Sequence, residues 1–412
     1  MATYYYYEDA TGSGDGSSEA DAYDGSTSAT LPDGSSNTAT FKNVITALQS
    51  GDTLYVKNGS SAINLGASTV ITTNAGGTPA DHNDQAASDY GFVSIIGYQD
   101  TIDDQKRAEI FMSGFTLRYR PMGRLENLSF TGSYSGDLIM LTDGCVVRNC
   151  RLHKTSGSGS CIRLDDSNTI ERCEIINDYS TSSAGNNCCV SFNATNAGCL
   201  VDSCYIEAGN GVHGVYNSAG VIGTSFVQNC IINVNLDKDG SGNSDGDGIH
   251  YDDLTYERTA QLHRNIIHNA KNAFSMGAID RRFGAAHITY NIISSCEKVF
   301  TTTGTYTDFY YFPTSSTDTT AVADRARDHS TIRMSNNFYY SNTDNGDLPN
   351  QEYPTYLTSD PFVDVANKDF TIKNPNDFGY AAQFQQAGAS GDTITKNSLI
   401  PIKAPGEIAR SF

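Results

Sequence analysis

Polar and apolar positions along the chain fall into a short motif that recurs. A strand-like segment ends in Asn or Cys and is followed by two or three apolar residues. It reads Leu125-Glu-Asn-Leu-Ser-Phe, Val147-Arg-Asn-Cys-Arg-Leu, Ile170-Glu-Arg-Cys-Glu-Ile and Val201-Asp-Ser-Cys-Tyr-Ile. Further copies are Val227-Gln-Asn-Cys-Ile-Ile, Leu262-His-Arg-Asn-Ile-Ile and Ile288-Thr-Tyr-Asn-Ile-Ile, with a last one at Ile332-Arg-Met-Ser-Asn-Asn-Phe. With Asn127, Cys150, Cys173, Cys204, Cys230, Asn265 and Asn291 taken as equivalent, the steps are 23, 23, 31, 26, 35 and 26 residues. A short minimum step with variable insertions predicts one solenoid coil per copy, with loops inserted on one face.

A second strand follows each motif about a dozen residues later. The set is Cys161-Ile-Arg-Leu-Asp, Cys189-Val-Ser-Phe-Asn, Gly211-Val-His-Gly-Val, Gly248-Ile-His-Tyr-Asp and Ala273-Phe-Ser-Met-Gly. These alternate apolar and polar, so one set of side chains enters a core and the other points out. Stacking like strands at roughly 4.8 Å per coil builds parallel sheets. Equivalent residues then form ladders along the stack. Asn at the ladder position can bond the neighbouring coil's backbone, and Cys fills the same small buried space. The expected class is therefore all-β, a single-stranded parallel β-helix.

Phe41, Val44, Ile45 and Leu48 depart from this pattern, at i, i+3, i+4 and i+7, and predict an amphipathic helix. It leads into Gly51-Asp-Thr-Leu-Tyr-Val-Lys-Asn-Gly. The helix, the strand after it and the repeats together resemble the right-handed parallel β-helix of the pectate-lyase-like superfamily, over roughly residues 40 to 375. The resemblance implies an N-terminal capping helix over the open end of the core. It also implies a closing segment at Ser359-Asp-Pro-Phe-Val-Asp and Lys368-Asp-Phe-Thr-Ile-Lys. The expected division is an N-terminal extension over 1–38, a β-helix over 39–375 and a C-terminal extension over 376–412. The first extension has room for an opening strand in its Tyr run.

Composition agrees with a strand-rich chain: of 412 residues, 38 are Gly and 24 are Tyr, and only 18% are charged. The net charge of −20 argues against nucleic-acid binding, which needs a basic face. The longest apolar stretches, such as 92–98, are too short to span a bilayer, so no membrane insertion is expected. The start lacks an apolar leader segment, and no secretion signal is expected there. The ten cysteines are then expected as reduced, buried residues rather than disulfides or zinc ligands.

Aligning the second strands puts Arg163, Ser191, His213, His250 and Ser275 in one outward column. Asp165, Asn193 and Asp252 form another beside it. Four members of the first column, Arg163, Ser191, His213 and Ser275, are candidate glycan-binding residues. The densest cluster, Asp245-Gly-Asp-Gly-Ile-His250-Tyr-Asp-Asp253 with Arg282 about a coil later, yields the catalytic candidates Asp247, His250, Asp252 and Arg282. Such groups suit acid–base work at a glycosidic bond, or removal of a proton from a uronate. Outward positions of a solvated sheet are polar in any case, so a plain solvent face is the competing reading. Asp237, Asp239, Asn243 and Asp245 space oxygen ligands between glycines as a Ca²⁺ loop does, although an insertion without metal fits as well. No cofactor is otherwise required.

Two functions remain open. One is a bacteriophage virion structural protein, a capsid decoration, fibre or tail-associated β-helix, made in the host cytoplasm and able to bind glycan. Its partners would be other virion proteins or copies of itself, and the resemblance to tailspikes implies a homotrimer. The other is an extracellular or tailspike-like polysaccharide lyase or glycoside hydrolase acting on an acidic glycan. The cluster, with His213-Gly214, is similar to the Asp-Asp and Gly-His-Gly elements of polygalacturonase-like hydrolases. That family's Asn-Thr-Asp and Arg-Ile-Lys elements are not in register, and no pectate lyase arginine signature is present, which places the virion expectation first.

Overall fold

A computed structural model of the chain describes residues 2–65, 71–72, 92–102, 104–114, 116–119, 123–142, 144–180, 186–193, 198–218, 223–235, 246–254, 258–279, 285–302, 331–346 and 351–373. These fall into two compact units, one reaching Cys199 and the other beginning at Leu200. Each is built from short strands stacked in three parallel sheets, the arrangement of a parallel β-helix.

In the first unit, one sheet takes Thr3–Tyr7, Thr53–Lys57, Val93–Tyr98, Gly123–Glu126, Val146–Arg148 and Thr169–Glu171 in that order. The next takes Ile63–Asn64, Ala108–Met112, Leu128–Ser133, Arg151–Ser156 and Glu174–Asn177. The third takes Ile71–Thr72, Leu117–Tyr119, Ile139–Leu141, Ser160–Leu164 and Cys188–Phe192. Leu125, Val147 and Ile170 point inward from the first sheet, Phe130, Leu152 and Ile175 from the second, and Ile139, Ile162 and Val190 from the third, all buried. The opening strand Thr3–Tyr7 contains the Tyr run, and its Tyr5 stacks on Tyr55 of the next coil. Helix Phe41–Ala47 forms where its apolar spacing predicts, with Thr40 as N-cap, and sets Phe41 against Tyr6.

The coil has three strands where two were expected. What reads as one motif is a pair of strands meeting at a corner, and the residue at that corner is left-handed. Asn127, Asn149 and Arg172 have φ of 55, 49 and 54°, which turns the chain within one residue. The register also corrects one equivalence. Ser129 pairs with Arg151, so Leu128 stands beside Cys150, while Asn127 stands beside Asn149 and accepts from its amide at 2.7 Å. The first step is therefore 22 residues, and Asn127 is a corner residue instead of a ladder residue.

The second unit repeats the plan. Its first sheet runs Gly223–Gln228, Arg258–His263, Ala285–Thr289, Thr331–Ser335 and Gln351–Glu352. Its second runs Tyr205–Ala208, Ile231–Val234, Ile266–His268, Ile292–Ser294, Phe338–Tyr340 and Thr355–Tyr356. Its third runs His213–Asn217, Ile249–Leu254, Asn272–Ile279, Lys298–Thr302 and Asp344–Gly346. Asn265, Asn291 and Asn337 form the expected buried ladder, each side-chain oxygen accepting from the ladder residue one coil earlier.

The segment expected to close the fold is an antiparallel hairpin, Phe362–Asp364 with Asp369–Ile372. Its Phe362, Phe370 and Ile372 pack on the outward column Tyr205, Ile231, Ile266, Ile292 and Phe338. All ten cysteines are buried, and none is joined in a disulfide. Cys188 and Cys189 are both buried although they are adjacent in one strand.

Candidate functional site

The third sheet of the second unit brings together residues from three successive coils. Val215, Ile249, Phe274 and Phe300 pair in register and fill the core. The next residue of each strand points the other way, giving an outward column of Tyr216, His250, Ser275 and Thr301. Continuing the same offsets two residues before the core positions sets His213, Asp247 and Asn272 in a second column. Two glycines make this possible. A Cβ at Gly214 would come within 2.4 Å of Ile232, and one at Gly248 within 2.5 Å of Ile267, so both strands lie too close to their neighbours for any side chain there.

The two columns form a hydrogen-bonded cluster. Asn272 Nδ2 donates to Asp247 Oδ1 at 2.6 Å. Asp247 Oδ2 lies 2.7 Å from His250 Nδ1, and His250 Nε2 lies 3.0 Å from Asp252 Oδ1. Tyr216 donates its hydroxyl to Asp252 Oδ2. The backbone N–H of Asp247 donates to His213 Nδ1 at 3.1 Å, so that nitrogen carries a lone pair. The His213 and His250 rings are 4.6 Å apart, and Tyr216 stacks on both. Exposure rises along the chain of contacts, from 5% for the Asp247 side chain through 13% for His250 to 38% for Asp252. Burial is the largest single influence on His250 and lowers its pKa. The hydrogen bonds and charges of Asp247 and then Asp252 outweigh it, and together they hold the imidazole above its ordinary value.

Of the catalytic candidates, the fold joins Asp247, His250 and Asp252, and Arg282 lies outside the described residues. The same holds for the Ca²⁺ candidates Asp237, Asp239, Asn243 and Asp245. The glycan-binding candidates separate. Arg163 and Ser191 are in register on an outward column of the first unit, with Arg163 Nε 3.4 Å from Asp165 Oδ1. Burial raises the pKa of Asp165 against the opposing charge of Arg163. His213 joins the second unit's cluster, but not as a member of the His250 column, because Tyr216 holds that place. Ser275 does stand beside His250, yet it is only 1% exposed and its hydroxyl has no hydrogen-bond partner among the described residues.

Sequence reasoning missed Tyr216 and Asn272. The alignment matched glycines Gly211 and Gly248 and thereby slipped by three residues. Matching His213-Gly-Val-Tyr to Asp247-Gly-Ile-His restores the register and places Tyr216 over His250.

The site thus sits on an outward face of an all-β, three-sheeted parallel β-helix. A solved structure titled crystal structure of pectate lyase Pel9A matches with a TM-score of 0.60 at 11% identity, covering 100% of this chain and 94% of that one. That likeness shows the fold alone, a right-handed parallel β-helix. A second structure, titled Geobacillus virus E2 - ORF18, matches with a TM-score of 0.48 at 13% identity over 85% of this chain and 60% of its own. No protein-family model and no curated protein matches the chain.

Proposed function

We propose that the protein processes a polysaccharide, as a lyase or glycoside hydrolase of depolymerase type, at the Asp247–His250–Asp252 cluster. The carrying observation is a carboxylate–imidazole–carboxylate chain buried at Asp247 and open to solvent at Asp252. Asp247 fixes the imidazole, and His250 together with the Tyr216 hydroxyl positions the accessible carboxylate. Such a chain can accept a proton from a sugar carbon or hydroxyl at its open end and spread the charge inward. An acidic glycan is the substrate class considered first. The test is release of reducing ends and of products absorbing at 235 nm from a panel of acidic and neutral glycans. Turnover is expected, with loss by at least about 100-fold in Asp252→Ala and His250→Ala. Turnover unaffected by either substitution would remove the cluster from the chemistry.

A second reading is a bacteriophage virion component that recognises glycan without cleaving it. It is favoured by the Asn ladder, which ties successive coils together, and by the charge of −20, which suits solubility and repels nucleic acid. Its partners would be other virion proteins or further copies of the chain, a homotrimer among them. Recovery of the chain at fixed stoichiometry in intact particles, with no turnover on the same panel, is the outcome this reading expects.

A further inference from the structure

We propose that His213, Asp247 and His250 bind a divalent first-row transition-metal ion, of the zinc, cobalt or nickel kind. The inference goes beyond the proposed turnover and is read out by binding alone, so the two succeed or fail separately. One nitrogen from each imidazole and one carboxylate oxygen lie within 4.8 Å of one another, and His213 and Asp247 are buried. The Nδ1 atoms of His250 and His213 stand 2.7 and 3.6 Å from the same oxygen, Asp247 Oδ2. Ligands at about 2.0–2.2 Å around a tetrahedral ion are separated by roughly 3.3 Å. The two nitrogen–oxygen separations bracket that spacing, and side-chain rotation within the 4.8 Å cluster brings the set to it.

The groups behind the three are also those a metal site needs. Asn272 holds Asp247 Oδ1 at 2.6 Å and leaves Oδ2 facing the imidazoles. Asp252 lies 3.0 Å from His250 Nε2, which directs the opposite ring nitrogen toward Asp247. An amide behind a carboxylate ligand and a carboxylate behind a histidine ligand orient the ligands and make them better donors. On binding, the ion replaces the proton shared between His250 Nδ1 and Asp247 Oδ2, which leaves to solvent. It also takes over the His213 Nδ1 lone pair from the Asp247 N–H. Two imidazoles with one carboxylate favour first-row transition ions, whereas Ca²⁺ and Mg²⁺ take sets made of oxygen atoms. Three protein ligands leave a coordination position open for water or a sugar oxygen.

The experiment titrates the metal-free full-length chain with Co²⁺ and follows visible absorption, then displaces it with Zn²⁺. One equivalent is expected to bind, and excess Ca²⁺ is expected not to compete. His213→Gln and Asp247→Asn, which keep size and polarity, should each weaken binding by at least about 100-fold, and Asn272→Ala by about 10- to 100-fold. Circular dichroism on each variant separates loss of the site from loss of the fold. Failure of the wild-type chain to bind Co²⁺ overturns the proposal, and so does one-equivalent binding retained in folded His213→Gln and Asp247→Asn.

Discussion

Asn272 donates its side-chain amide to Asp247 Oδ1 at 2.6 Å from the following coil, with both residues buried. A buried carboxylate oxygen stripped of its donor bears the desolvation cost alone. Asn272→Ala is expected to lower stability by about 1–3 kcal/mol. Asn272→Asp should cost more, because it sets a second carboxylate against the first. Urea unfolding followed by tyrosine fluorescence checks both, and an unchanged midpoint in Asn272→Asp would sink this account of the pair.

The Asn ladder carries a second expectation. Asn291 Oδ1 accepts the backbone N–H of Asn265 at 2.9 Å, and its amide donates to the Leu262 carbonyl at 3.0 Å. Asn291→Ala strands both groups in the core and is expected to destabilise by about 2–4 kcal/mol. Asn291→Cys should be milder, because a thiol fits this place and donates to a carbonyl, as Cys230 does to Val201. Thermal unfolding of the two variants side by side gives the order, and a reversed order counts against the ladder.

The closing hairpin is held by its aromatic residues. Phe370 is buried, meets Phe362 at 5.3 Å between ring centroids and His268 at 5.4 Å. Phe370→Ala is expected to cost about 3–5 kcal/mol. It should also raise amide exchange on the outward column from Tyr205 to Phe338. Exchange unaltered along that column would show that the hairpin does not cover it in solution.

His263 supplies a pH dependence away from the candidate site. Burial, then the charges of His287 and Arg264, lower its pKa from the ordinary 6.5 to about 4, while Thr289 and Gln261 bond its two ring nitrogens. Between those two values the unfolded chain takes up the proton and the folded chain does not. The contribution to stability is therefore complete above 6.5 and lost as pH falls toward 4. Partial exposure limits the effect to roughly 1–3 kcal/mol. Wild type should lose that much more stability than His263→Gln between pH 7 and pH 4, and parallel profiles would refute it.

Much of the fold was legible because stacked coils repeat their side-chain requirements. A left-handed corner favours Asn, and the buried place after it holds Leu128 in one coil but Cys or Asn in those that follow, so Cys150, Cys173, Cys204, Cys230, Asn265 and Asn291 mark successive coils. The paired apolar residues after these marks carried a further signal that went unread. Arg151 and Glu174 follow the marks in the first unit, whereas Tyr205, Ile231, Ile266 and Ile292 follow them in the second. Apolar residues at outward positions require a cover, and the hairpin supplies it.

The site was legible only in part. Asp247, His250 and Asp252 lie close in sequence, so their types and spacing pointed to chemistry. Tyr216, His213 and Asn272 come from neighbouring coils, and loops of different length hide their alignment. By itself, the sequence determined the coil, its inward and outward faces and the residues able to form ladders, since these follow from local alternation and from which side chains tolerate burial. Only the tertiary structure decided the register between coils. A slip of three residues exchanges Tyr216 for His213 beside His250, and it passes unnoticed because Val212 and Val215, three apart and both buried, can each be matched to Ile249. Close packing at Gly214 and Gly248, where no Cβ fits, selects the alignment that brings two imidazoles and a carboxylate together.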